Sequence, residues 1–159
     1  MKLLAITASI IAIGGIASAS NPRGDDLVVG DVDCRTHDFE LSPELKVRAV
    51  EAREKIIEEG RYGVTRTNPD GIIVSLKVED DILWITGIGI SGGDGSYAVK
   101  PTVIPTDIVT TPIRADWYSG ELTGYYGRLL RFGIREYGYV FAISEGEITD
   151  TKNVRFELD

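Results

Sequence analysis

Apolar residues recur along this chain in three rhythms, and each predicts a different element. The first is a nearly unbroken run from Leu3 to Ile16, with Lys2 ahead of it and Ala17-Ser18-Ala19 behind. A positive start, an apolar stretch too short to span a bilayer and a small-x-small ending predict a cleavable signal peptide over residues 1–19. No later run is long and apolar enough to anchor the chain in a membrane. The second rhythm is helical. Leu45, Ala49, Ala52 and Ile56 lie three or four apart, Ser42-Pro43 offers a cap and a first-turn proline, and Gly60 offers a left-handed stop. The third has a period of two. Ile72, Val74, Leu76 and Val78 alternate with their neighbours, Glu79-Asp80-Asp81 makes a polar turn, and Ile82 to Ile90 follows, which predicts a hairpin. Further strand-like runs cover 128–134, 137–144 and 153–158, with a Glu145-Gly146-Glu147 turn between the last two. Residues 20–31, rich in Gly, Asp and Asn, predict a flexible arm. Residues 32–159 then predict one α+β domain, an N-terminal helix packed on a curved, mainly antiparallel sheet.

Charge narrows the partners. Twenty-five acids against 17 bases give −8, and the leader holds one base and no acid, so the secreted chain is one unit more negative still. Such a field weakens non-specific attraction to nucleic acid and anionic lipid while leaving room for a local basic patch. Cys34 is the only cysteine, so no internal disulfide forms. Burial as an inert thiol is the favoured state of a lone Cys, with a reactive thiol or a Cys34-linked dimer as the alternatives to a monomer. Arg23-Gly24-Asp25 reproduces the integrin-ligand tripeptide, but a chance match in an arm explains it better. The loop Ser91–Ser96 is no phosphate cradle, since it lacks the Gly-Lys-Ser/Thr ending and no helix follows it.

The residues that carry acid–base chemistry are scarce. His37 is the only histidine. Its neighbours Cys34 and Asp38 lie in a segment not predicted to be helical, where a three-residue spacing implies no nucleophile–base geometry. One Cys and one His are too few ligands for a metal site. The acid pairs Asp25/Asp26, Asp80/Asp81 and Glu145/Glu147 fall in an arm or in turns, where carboxylates are ordinarily solvated. No catalytic residue, metal or cofactor is assigned.

The most informative stretch runs from Thr111 to Phe132: Thr111-Pro112-Ile113, then Tyr118-Ser119-Gly120, then Gly124, then Gly127-Arg128-Leu129-Leu130-Arg131-Phe132. This order resembles the microbial guanyl-specific ribonucleases and the ribonuclease-like effectors secreted by plant-pathogenic fungi. There an aromatic-Pro-Ile strand, a Tyr-x-Gly-Gly-like turn, a Gly-rich loop and an Arg opening an apolar strand follow one another. The family also has a Cys before its single helix, as Cys34 is placed, and a closing Asn-x-Phe-x-Cys strand, here Asn153 to Leu158. The resemblance implies a microbial ribonuclease-like fold and gives Arg128 the family's phosphate-contacting role. It also puts Thr110 where the family has its catalytic Glu, Leu158 where it has a disulfide partner, and no His after position 37. An Arg can stabilise charge on a phosphate but can neither take nor give the protons that RNA cleavage needs. What the resemblance implies is therefore a pseudo-enzyme.

Arg and aromatic residues crowd the region between Arg114 and Tyr139. Such mixtures stack bases and anchor protein interfaces. About half should fill the core, with Tyr125, Tyr126 and Arg128 exposed on a Gly-rich loop; the expected binding set is Tyr118, Tyr125, Tyr126, Arg128 and Arg131. The function expected is a secreted, non-catalytic, ribonuclease-like effector that binds host protein or RNA, with translocation into host cells implied by the resemblance alone. The alternatives are a secreted or periplasmic inhibitor or immunity protein that blocks a hydrolase, and a sugar hydrolase with two acids in a cleft.

Overall fold

The computed structural model describes residues 9–13, 24–37, 39–60, 70–92, 102–131 and 134–158, with only the backbone described at 9–13, 92 and 102. The rest of the leader, Asp38, most of the Ser91–Ser96 loop and Phe132-Gly133 lie outside the described residues.

The elements run β1 (Ser9–Ile13), β2 (Asp25–Val29), β3 (Val32–Thr36), α1 (Pro43–Glu58), β4 (Ile72–Glu79), β5 (Ile82–Gly92), β6 (Thr102–Pro105), β7 (Ile113–Arg114), β8 (Gly120–Arg131), β9 (Ile134–Ser144) and β10 (Glu147–Leu158). Local chemistry explains several of them. Ser42 caps α1 by accepting the Leu45 N–H at 3.3 Å, Pro43 opens the first turn, and Gly60 follows the helix at φ +67. Asp80 and Asp81 both take positive φ, the twist that a two-residue hairpin turn needs to fit the strands it joins. Glu145-Gly146 closes the β9–β10 hairpin in the same way.

The sheet departs from the expected layout. Neighbouring strands follow the order β1-β10-β9-β8-β3-β2-β4-β5-β6, with β7 beside β5. The pairing is mixed: β2 runs parallel to β4, and β1 runs parallel to the end of β10. A further bridge joins Glu147 of β10 to Ile82 of β5, flanked by Leu83 N–H to Gly146 O (2.9 Å) and Ile148 N–H to Asp81 O (2.7 Å). Seven strands thus close on themselves. The expectation of one helix packed on a curved, mainly antiparallel, ribonuclease-like sheet is therefore corrected. Sheet residues enclose the core, and α1 adds only Leu45, Ala49 and Ile56 as fully buried side chains.

The flexible arm expected over 20–31 needs the same correction where it is described. Asp25–Val29 is an interior strand, paired with β3 on one side and β4 on the other. Leu27 and Val29 alternate with polar or half-buried neighbours, Gly30 turns at φ +62, and Val32 and Cys34 resume the alternation. Gly30-Asp31 is a two-residue hairpin signal hidden in a polar-looking segment. The core it joins includes Leu27, Leu76, Leu83, Ile85, Leu122 and Phe141, each no more than 2 % exposed. Full burial of each such side chain stabilises the fold by about 1.5–3 kcal/mol. Gly89 lets β6 approach, because a Cβ there would collide with Val103.

Candidate functional site

β8 and β9 form the longest ladder in the sheet and carry most of the expected binding residues. Their register places Leu122, Gly124 and Tyr126 opposite Phe141, Tyr139 and Tyr137 on the core-facing side. Tyr125 pairs with Gly138 and faces the other way. Consecutive tyrosines therefore do different jobs, and neither lies on the exposed loop expected for them.

On the inner face the rings form a row. Tyr137 stacks on Tyr126 at 5.5 Å, Tyr126 on Tyr139 at 4.9 Å, and Tyr139 on Phe141 at 6.1 Å. The row runs from Tyr137, 37 % exposed, down to Phe141 at 2 %. Tyr126 donates its hydroxyl to Asn153 Oδ1 at 3.0 Å. Burial, with the Tyr126 hydroxyl adding to it, pushes Tyr139 up to about 12. On the outer face, Tyr125 lies 5.3 Å from Phe156 and 5.6 Å from the His37 ring. Gly138 makes room for this cluster, since a Cβ there would sit 2.7 Å from Phe156.

Beyond the tyrosines the ladder becomes an arm. Two register shifts interrupt it between Tyr126 and Arg131, and a bulge of this kind increases twist and re-aims side chains. Arg128 is three-quarters exposed, its Nε 3.9 Å from Glu136, which also holds Arg155 at 3.2 Å. Arg135 donates to the Gly127 carbonyl at 2.8 Å. Arg131 is exposed, and so is Leu129 at 57 %. The arm thus offers several guanidinium groups and one acid on a chain of net −8. At its root β8 touches β3 through a single bridge, Arg35 to Tyr125, and the two strands then part. A groove of about 460 Å³ is lined by residues of β2 and β3, among them the Asp26–Arg35 ion pair, Asp33 and Cys34, and by Arg135 of β9.

Tyr118 belongs to a different place. It precedes β8 and lies ten positions before Arg128, roughly 30 Å of extended chain. It lies at the start of α1, where its ring stacks on Phe39 at 5.2 Å and its hydroxyl donates to the Glu121 carbonyl at 2.9 Å. Next to it Trp117 donates its indole N–H to the Glu40 carbonyl at 3.1 Å. These residues, with Lys46 and Pro43 from α1, line an open cleft of about 720 Å³. Of the expected set, then, Tyr126, Arg128 and Arg131 share the arm, Tyr125 supports its far side, and Tyr118 is elsewhere. Sequence reasoning passed over Leu129 and the Trp117 cleft. The cleft's walls lie more than seventy residues apart in the chain, so no local signal could pair them.

Catalytic arrangements can be weighed directly. Cys34 is 4 % exposed in the core, and burial, with Asp33 adding to it, pushes its thiol up to about 11. His37 packs against Tyr125 on the outer side of the ladder, so the two do not form a nucleophile–base pair. Among the described residues no three His, Cys, Asp or Glu side chains cluster closely enough to hold a metal, and no helix is long and apolar enough to cross a membrane. Asp25 of the Arg-Gly-Asp tripeptide is buried, its carboxylate accepting the Val74 N–H at 2.8 Å, so it is not presented to a receptor. Arg23 lies outside the described residues. Arg128, to which the ribonuclease resemblance gave a phosphate-contacting role, is three-quarters exposed near the end of the β8–β9 hairpin, with Glu136 beside it. No family model matches the chain, and neither a curated protein nor a solved structure is significantly similar to it.

Proposed function

We propose that this protein acts by binding, and that the β8–β9 arm engages an acidic protein surface outside the cell that secretes it. One observation carries the reading. A chain of net −8 gathers Arg128, Arg131 and Arg135 on the end of one hairpin, beside an exposed Leu129 and the open end of the Tyr137 stack. Arg and Tyr around an apolar centre make up the usual hot spot of a protein interface. The rings below fix the hairpin's shape before any partner arrives, which lowers the entropy lost on docking. Attraction to the arginines acts locally, against the net negative field of the chain, and is screened as salt rises.

RNA is the less favoured partner. Phosphate binding gains from a long track of cations, and the hairpin offers three arginines, Arg128, Arg131 and Arg135. Tyr126 and Tyr139 already cover each other's faces, so only Tyr137 could take a base. Catalysis is not part of the proposal: the thiol is buried and the imidazole packs against Tyr125.

Fluorescence anisotropy with two labelled probes of equal charge, a Glu-rich peptide and a single-stranded RNA, tests the reading. The peptide should bind, with an affinity that falls as salt rises and is lost in the double variant Arg128→Glu, Arg131→Glu. Tighter binding of the RNA would replace the acidic protein with a nucleic acid. Peptide binding indifferent to both substitutions would remove the arm from the function.

A further inference from the structure

We infer that the Trp117 cleft is a second binding site, separate from the arm, and that its ligand is a neutral oligosaccharide. The platform is built before any ligand arrives. Trp117 is 37 % exposed, yet its orientation is fixed by the hydrogen bond from its indole N–H to the Glu40 carbonyl. Tyr118 is held from three sides: its ring by Phe39, its hydroxyl by the Glu121 carbonyl, and its own carbonyl by the Gly146 N–H at 2.9 Å. Ser119 accepts the Glu145 N–H at 2.8 Å, tying the rim to the β9–β10 turn. The volume, about 720 Å³, lies inside the range usual for ligand sites, roughly 300–1,000 Å³.

The charged heads around the indole decide the class of ligand. Glu40 and Glu121 bring carboxylates, Lys46 brings an ammonium, and none of the three makes an ion pair among the described residues. An anionic ligand would face two carboxylates, and a simple cation would meet the lysine. A purely apolar ligand would strip water from all three heads and return nothing, which is costly for charged groups. A sugar satisfies every partner together. Its hydroxyls donate to the carboxylates and accept from the ammonium, and the C–H face of its ring lies flat on the indole. The cleft is open along its length, so a chain of rings fits better than a single enclosed molecule.

Titration calorimetry on the full chain with cellohexaose, laminarihexaose, chitohexaose and mannohexaose tests the assignment. Indole fluorescence is followed in a Trp84→Phe background, so that Trp117 alone reports. At least one glycan should bind by millimolar concentration and shift the Trp117 emission. Trp117→Ala should weaken it by about tenfold or more, and Trp117→Phe by less, because a flat ring remains. Lys46→Ala, at an exposed helix position, should weaken it severalfold while the circular dichroism stays unchanged. That variant keeps the test valid if Trp117→Ala unfolds. Absence of binding by all four glycans to a folded chain would overturn the inference. Binding that ignores both Trp117 and Lys46 would do the same. A zwitterionic dipeptide that binds where the sugars do not would keep the cleft and refute the saccharide.

Discussion

The two surfaces lie at opposite ends of β8 and differ in how they are held. The cleft end is tied to several elements. Hydrogen bonds link residues 117–119 to the segment before α1 and to the β9–β10 turn, and Phe39 packs against Tyr118. The arm end is held by its own hairpin, one bridge to β3, the pairing of β9 with β10, a stack of three tyrosines on one face and a small cluster of Ile134, Val154 and Phe156. One surface presents both signs of charge around a fixed indole; the other presents mostly guanidinium groups, with Glu136 among them, on the end of a hairpin. The lesson is that the two ends of one strand can be held by different means, because neighbours other than its own backbone determine stiffness.

The root of the arm gives the largest expected effect. Gly124 lies where β8 passes β3, and a Cβ there would meet Leu27 at 2.8 Å and the Cys34 Cβ at 3.2 Å. Gly124→Val should force the strands apart and cost about 2–3 kcal/mol, as overpacking of a filled core does. Urea unfolding followed by far-ultraviolet dichroism measures it; a loss under half a kcal/mol would mean that the root already gives way freely. Hydrogen exchange sharpens the same contrast. Amides of residues 128–131 should exchange well before those of residues 121–123, whose partners on β9 are anchored in the core. Equal protection at both ends would dissolve the distinction drawn here.

Some of this was legible beforehand. Ser42-Pro43, the apolar stripe and Gly60 located α1, and strict alternation located the β4–β5 hairpin. These signals are local, so a sequence can display them. The β2–β3 hairpin was hidden because Gly30-Asp31 and the neighbouring acids resemble a loose arm, although Leu27, Val29, Val32 and Cys34 keep the right period. Gly124 and Gly127 gave the tyrosine segment the look of a loop. In fact Gly124 is there so that Cys34 can come close, and Gly127, at φ +85, takes a backbone conformation that other residues rarely adopt. Closure of the sheet rests on one bridge between residues 65 positions apart, Ile82 and Glu147, and no periodicity reports that. Of the site, the arginines could be singled out by composition; their division from Tyr118 could not.

Alkaline pH should act on the arm's root. Tyr139 is raised from an ordinary 10.0 to about 12, and Cys34 from 9.0 to about 11, both chiefly by burial. Each is neutral when protonated. The unfolded chain releases these protons at the ordinary values while the folded chain still holds them, so stability present below those values is lost as pH rises through the folded ones. Stability should therefore decline between pH 9 and 11 through Cys34 and between 10 and 12 through Tyr139. Cys34→Ala should flatten the first interval and Tyr139→Phe the second in urea midpoints measured across pH. An unaltered profile in both variants would place the alkaline sensitivity elsewhere.

The smallest effect separates support from recognition inside the arm. Tyr126→Phe keeps the ring in its stack and removes only the hydroxyl that donates to Asn153 at 3.0 Å. The net loss should be about 1 kcal/mol, and less if the half-buried Asn153 amide turns to water. If the tyrosines serve only to hold the hairpin's shape, acidic-peptide affinity should stay within a factor of about two, a change well under 1 kcal/mol, while the urea midpoint falls. A large drop in affinity with an unmoved midpoint would reverse the assignment, making Tyr126 a contact and the stack part of the recognition surface. A double-mutant cycle with Asn153→Ala distinguishes the two, because a purely structural hydroxyl couples to Asn153 in stability and leaves no coupling in binding.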